Sequence, residues 1–313
     1  MAGSLIRWSL MGIRRHTENE SKKQMLDYSK TRDWDSGDVR HVYTAKDTML
    51  YALGLGLGAD PLDERQLRFV YEKDLLALPT MAAVLASPGF WMRERRELGI
   101  DFMKLVHGEQ AVRIHAPLPP AGTVIGRTRV TRIVDKGEGK GAVLHVEKTL
   151  VDEATGKPAA TVESVYFLRG DGGFSKADGC SDEAAPASAP MPESAPELTL
   201  DVPTRPDQAL LYRLSGDANP LHAEPAFAAK AGFPRPILHG LATWGIAGRG
   251  LIAAYADFDP ARMTELRARL SAPVYPGETI RLECWRTGEE IAFRARVVER
   301  DVLVLTNGRT RIR

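Results

Sequence analysis

Cysteine is nearly missing from this chain of 313 residues: only Cys180 and Cys284 occur. Two cysteines build no disulfide framework, and their scarcity fits a reducing compartment. An excess of one charge is missing too. The 42 Lys and Arg nearly balance the 41 Asp and Glu, for a formal net charge of +1. That balance gives no reason to expect nucleic acid as the main partner. No apolar run is long enough to span a membrane. Residues 1–20, "MAGSLIRWSLMGIRRHTENE", have no acid before Glu18 and carry Arg7, Arg14 and Arg15. This reads as a transit-like segment or as a leader with no role in the fold. The terminal "RTRIR" is not a peroxisomal address. A cytoplasmic location is expected, with organelle targeting by the leader left open.

What is present is a repeat. Hydrophobic residues make up 43% of the chain, enough for sizeable cores in one large or two ordinary domains. Residues 114–124 read "IHAPLPPAGTV" and residues 270–280 read "LSAPVYPGETI". A second pair matches "YALGLGLGADPLDE" from Tyr51 with "YRLSGDANPLHAE" from Tyr212. The offset is about half the chain, as two copies of one unit would give. Tyr51, Leu53, Pro61 and Leu62 match Tyr212, Leu214, Pro220 and Leu221. Asp63 stands where the second copy has His222, and Gly56 or Gly58 where it has Asp217.

The copies divide the chain into a leader (1–40), a first repeat (41–170), a linker (171–200) and a second repeat (201–313). The linker is rich in Ala, Pro, Ser, Gly and Glu and cannot bury enough surface to order itself. Each repeat reads as polar turns and one long apolar helix, followed by strands. In the second, "GLATWGIAGRGLIAAYA" is apolar nearly all round, as a buried helix is. Gly245, Ala247, Gly248 and Gly250 would let a sheet approach it closely. "TIRLECWRT", "EIAFRARVVER" and "VLVLTN" then read as strands. The expected class is α+β, an antiparallel sheet wrapped around a long central helix in each repeat.

The candidate chemistry lies in "SGDANPLH". Asp217 and Asn219 are common turn formers, and the motif alone supports a purely structural turn. His222, five residues after Asp217, adds an imidazole that a proline-fixed loop can aim into the same cavity. A carboxylate and an imidazole facing one water suit general acid–base work. A metal reading is weaker, because no third strong ligand follows at the usual spacing. Gly240 opens the apolar helix, where free N–H groups suit a thioester oxygen becoming an enolate. The same glycine also serves a tight entry into the helix. "GLGLG" at 54–58 is rejected as a dinucleotide site, since no β-like run precedes it.

The stretch "YRLSGDANPLHAEPAFAAKAGFPRPILHGL" resembles the signature of the (R)-specific, type 2 enoyl-CoA hydratases, members of the MaoC-like dehydratases. The first repeat, with "YALGLGLGADPLDERQLRFVYEKDLLALPT" and "LVHGEQ", is similar to the first half of the two-repeat, eukaryotic-type hydratase 2. The likeness runs from about Tyr43 onward. It implies a double hot-dog fold with one active site per chain, no cofactor, no metal and a homodimer. It assigns Asp217 and His222 to the catalytic pair and Asn219 to holding the water or the pair. It assigns Gly240 to the oxyanion amide. His107, Gly108 and Lys136 would contact the acyl-CoA. Leu270 stands where relatives carry a bulkier aromatic residue. The implied reaction is reversible hydration of a trans-2-enoyl-CoA to a (3R)-3-hydroxyacyl-CoA. The alternatives are dehydration of another 3-hydroxyacyl thioester, a non-catalytic acyl-CoA-binding module and a thioesterase.

Overall fold

Alternating burial along extended segments produces ten strands in the computed structural model, which describes residues 25–176 and 179–313. In the first half they are β1 (Asp35–Tyr43), β2 (Leu105–Ile114), β3 (Gly122–Asp135), β4 (Ala142–Asp152) and β5 (Pro158–Leu168). In the second they are β6 (Leu198–Pro203), β7 (Met263–Leu270), β8 (Thr279–Thr287), β9 (Glu290–Val297) and β10 (Val302–Ile312). They form one sheet in the order β1-β3-β4-β5-β2-β7-β10-β9-β8-β6, and the neighbouring pairs are antiparallel. The second half mirrors the first across the β2–β7 seam. The repeated Ala-Pro motif leaves β2 and β7 and enters β3 and β8, so the duplication read from the sequence is a duplication of the fold. This is a double hot-dog.

The central helix Gly240–Ala256 lies in the second half, with Trp244, Ile246, Ala247 and Leu251 buried in the main core. It packs on β6, β7, β8 and β10, and on β2 and the Pro79–Ala83 turn of the first half. Its glycines admit different neighbours. A Cβ on Gly250 would meet Leu282 Cδ1 of β8 at 2.8 Å, the close sheet approach that was expected. At Gly245 the neighbours are Leu55 and Tyr51 of the first half, not the sheet.

Three expectations need correction. Among the described residues the first half has no long central helix. Its apolar stretch makes one 3₁₀ turn, Pro79–Ala83, and breaks at Ala86, whose φ is +47. Pro88 and Gly89 then prevent helical continuation. The freed backbone groups are met by side chains. Lys148 Nζ donates to the carbonyl of Ala83 (3.0 Å) and to that of Leu85, while the Ala86 N–H donates to His41 Nδ1 (3.0 Å). Burial pushes the Lys148 ammonium down to about 7. Lys148→Ala is expected to leave two buried carbonyls unpaired and to cost about 3 kcal/mol, read from urea unfolding. An unchanged midpoint at unchanged slope would remove this role.

The second correction is the leader boundary. Residues 1–24 lie outside the described residues, but from Asp35 the chain is already strand β1, paired with β3. Trp34 stacks on Trp91, with centroids 3.6 Å apart. The third is the linker. It is a strap held by groups outside it. Trp285 Nε1 donates to Ser194 O (2.8 Å), and the Arg309 guanidinium donates to Ala189 O (3.1 Å) and Pro190 O (2.7 Å). Composition showed correctly that the strap buries little apolar surface; hydrogen bonds from the sheet fix it instead. Among the described residues no helix is long and apolar enough to cross a membrane.

Candidate active site

The stretch from Tyr212 to His222 is a chain of short caps. A helical turn, Gln208–Tyr212, runs into the 3₁₀ turn Arg213–Ser215, and Gly216 reverses the chain at φ +114, a value glycine adopts without strain. Asp217 Oδ1 accepts the Asn219 N–H at 3.1 Å. Asn219 Oδ1 then caps the next 3₁₀ turn, Pro220–His222, by accepting the Leu221 N–H at 3.1 Å. Asn219 therefore has a structural task whatever else it does: it sets the turn that carries His222.

His222 is buried, and its Nδ1 lies 2.8 Å from the Ile237 carbonyl. A carbonyl only accepts, so Nδ1 carries the proton and the neutral ring presents the Nε2 lone pair. Burial lowers the His222 pKa, although the Ile237 carbonyl and Asp217 act in the opposite direction. His239 lies against it, with ring centroids 3.7 Å apart and planes 25° from parallel. His239 Nε2 donates to the Asp217 backbone carbonyl at 3.2 Å, while its buried Nδ1 has no partner among the described residues. Burial pushes His239 down to about 3, and His222 beside it adds to the effect. Both imidazoles are neutral at pH 7.

Donor atoms of Asp217, His222 and His239 lie within 4.8 Å of one another, a set with the residue types of a metal site. The stacking opposes that use. A ring nitrogen binds an ion in the plane of its ring. Two rings stacked this closely and this nearly parallel give one ion no point in both planes at bonding distance. The three groups suit a water molecule better.

His239 holds the N-cap position of the central helix without a side-chain capping bond, and Gly240 is the first residue of the helix. The Gly240 N–H has no carbonyl four residues back within the helix and stands at the positive end of the dipole. Leu270 closes over it: a Cβ on Gly240 would lie 2.8 Å from Leu270 Cδ1. Leu270 ends β7, one residue beyond Arg269, whose partner on β2 is Glu109. The β2–β5 register shifts between His107 and Glu109, so Gly108 is the extra residue of a bulge. The seam thus brings His107 and Gly108 beside Leu270 and the helix start.

His107 and Tyr166, opposite each other on β2 and β5, have centroids 4.8 Å apart, and both lie within the field of the Asp217 carboxylate. Burial pushes His107 down to about 4 and raises Tyr166, so both are uncharged at pH 7. Lys136 stands apart. It occupies the exposed turn after β3 with its backbone N–H on Gly141 O (3.0 Å), and no hydrogen bond or ion pair joins its side chain to this cluster among the described residues. Sequence reasoning passed over His239, although it stands in the quoted "LHGL" directly before Gly240. Tyr166 has no motif; strand alternation could only have placed it on the inner face.

The first repeat's copy of the loop is built for turns. Gly56 and Gly58 have φ of +84 and +77, and Asp63 caps a helical turn and pairs with Arg65. Its carboxylate is committed to the turn, unlike His222 Nε2.

Two family models match the chain. Residues 41–170 match the MFE-2 hydratase 2 N-terminal domain, and residues 187–308 match the MaoC like domain. The 3-hydroxyacyl-thioester dehydratase Y of Mycobacterium tuberculosis is 43% identical over 78% of this chain and 82% of its own. The peroxisomal enoyl-CoA hydratase 2 of Arabidopsis thaliana is 37% identical over 86% of this chain and 90% of its own. Among solved structures, the MaoC-like dehydratase of Phytophthora capsici superimposes with a TM-score of 0.79. Its identity is 31%, over 92% of this chain and 99% of that one.

Proposed function

The chain belongs to the MaoC-like, hydratase 2 family of hydro-lyases, and from that premise we propose that it adds water reversibly to a trans-2-enoyl-CoA to give a (3R)-3-hydroxyacyl-CoA. The observation that carries this reading is the meeting of Asp217 and His222 beside the helix start at Gly240. In the proposed reaction the two side chains hold one water. A proton leaves the water for the pair as its oxygen bonds to C3 and the C2–C3 π electrons move toward the thioester carbonyl. The resulting enolate oxygen accepts from the Gly240 N–H, a contact worth about 3 kcal/mol in comparable oxyanion sites. The pair then returns a proton to C2 on the same face. Donor atoms of Asp217 and His222 lie within 4.8 Å of one another, so acid and base are assigned as roles of the pair. His107, Gly108 and Leu270 would line the thioester path, and Lys136 would reach only the outer end of the CoA.

Acid–base chemistry on water needs no resident cofactor, and none is part of this proposal. A homodimer and a cytoplasmic location belong to the same reading. The name of the mycobacterial relative favours a second reading, dehydration of another 3-hydroxyacyl thioester in the reverse direction at the same site. A panel of enoyl thioesters followed by absorbance loss, with chiral analysis of the product, separates them. Hydration of an enoyl-CoA to the 3R alcohol is expected. A 3S product, or free thiol released in place of an alcohol, would overturn the proposal.

A further inference from the structure

Four rings run in file from the catalytic loop into the first half of the molecule. His222 stacks on His239 at 3.7 Å, His239 meets Tyr212 at 5.0 Å, and Tyr212 meets Tyr51 at 5.9 Å. All four are buried, the last three almost completely. Tyr51 and Tyr212 are the same position of the two repeats, so the pseudo-twofold relation of the halves passes between them. The Tyr51 hydroxyl is buried and, like those of Tyr212 and Thr80, has no hydrogen-bond partner among the described residues. It occupies the space left by the missing side chain of Gly245, 3.2 Å from where a Cβ would stand. Tyr212 is backed on another side by Gly54, whose absent Cβ would lie 3.1 Å from the Tyr212 Cα.

The hydrogen bonds in this file are too few to hold it. One bond through Nδ1 fixes His222 but leaves its ring free to rock about that bond. The ring across from it, His239, is held by a single bond through Nε2, with Nδ1 unpartnered. What prevents rotation is packing: His239 lies face to face with His222, Tyr212 and Tyr51 follow with planes tilted by 52° and 53°, and the last ring of the file comes from the other repeat. We propose that Tyr51 is a positioning residue for the hydration reaction: through Tyr212 and His239 it holds the His222 imidazole in the orientation that presents Nε2 to water. The inference rests on the reading of Asp217 and His222 as the acid–base pair. It also accounts for a within-chain observation: the first repeat has lost the acid and the imidazole but keeps this tyrosine.

The test uses the full chain with Tyr51→Leu and Tyr51→Phe. Leucine removes the ring and opens space behind Tyr212; phenylalanine keeps the ring. For Tyr51→Leu, kcat on crotonyl-CoA is expected to fall at least about 10-fold with KM within about twofold, since orientation affects the transition state more than binding. The His222 titration, followed by imidazole NMR, is expected to move up toward the ordinary histidine value as water enters. Tyr51→Phe is expected to keep at least about half of the kcat and the original titration. If Tyr51→Leu does not fold, Tyr51→Met, which keeps most of the volume without a ring face, replaces it. A folded Leu or Met variant with unchanged kcat and unchanged His222 titration overturns the proposal. So does a Tyr51→Phe variant as impaired as Tyr51→Leu, because the ring would not then be the working part. If the unmodified protein hydrates no enoyl-CoA, the functional reading fails, while the His222 titration still tests the positioning.

Discussion

Asp217→Asn is expected to slow hydration of an enoyl-CoA by roughly 10²–10⁴-fold while leaving the fold intact. The substitution is nearly isosteric. The amide oxygen of asparagine can still accept the Asn219 N–H that Asp217 Oδ1 accepts at 3.1 Å, so the turn that leads to His222 survives. The backbone carbonyl that His239 Nε2 donates to is untouched. What is lost is the negative charge and the capacity to take a proton from water. The measurement is initial-rate absorbance loss on crotonyl-CoA and on a longer enoyl-CoA, with a thermal melt of the same sample. Near-normal turnover from a protein melting within a few degrees of the original would falsify the assignment of Asp217.

His222→Gln is expected to cost a similar factor and, unlike Asp217→Asn, to abolish the acid limb of the rate profile. In the native protein burial depresses the His222 pKa. The imidazole is therefore neutral at pH 7 and stays neutral below the ordinary value of about 6.5. Turnover should fall as the pH drops through the lowered folded-state value, where Nε2 gains a proton and can no longer accept one. The same histidines link pH to stability. His107 and His239 are pushed down by burial to about 4 and about 3. In the window below about 6.5 the unfolded chain binds protons that the folded chain refuses, so stability declines on acidification. Urea midpoints measured from pH 7 to 5 should decrease steadily, and less steeply in His222→Gln. A profile flat across that range would show that these imidazoles are not held neutral. The double variant Asp217→Asn/His222→Gln should be little slower than either single one, because a pair that acts as a unit is lost with its first member.

Most of the scaffold could be read from the residues. The Ala-Pro motifs at 114–124 and 270–280 marked the same strand-to-strand passage in each half, because a proline-rich turn between alternating segments is a local feature. The long helix from Gly240 was equally plain, being a continuous apolar run with a glycine start. The matching helix of the first half was expected from symmetry and is not there. The interruption is local too, since Pro79, Pro88 and Gly89 stand in the sequence, and an apolar run between prolines is no longer a helix. The strap from 179 to 197 was misjudged for the opposite reason. Its own composition gives no cause for order, and the order comes from Trp285 and Arg309, about a hundred residues away in the chain.

The sequence by itself determined the two-repeat antiparallel architecture, the divergence of one polar loop from its copy, and the choice of Asp217, Asn219, His222 and Gly240 as candidates. Each of these depends on residue type and short spacing, which the chain carries locally. Only the tertiary structure decided that Leu270 lies against the helix start at Gly240 while Lys136 stands apart in an exposed turn, and that His239 joins Asp217 and His222. It alone decided that Tyr51 closes a file of rings ending at His222. Those contacts join positions about twenty to more than a hundred and fifty residues apart. They exist because the β2–β7 seam and the pseudo-twofold packing of the repeats bring the two halves together, and no local pattern encodes that meeting.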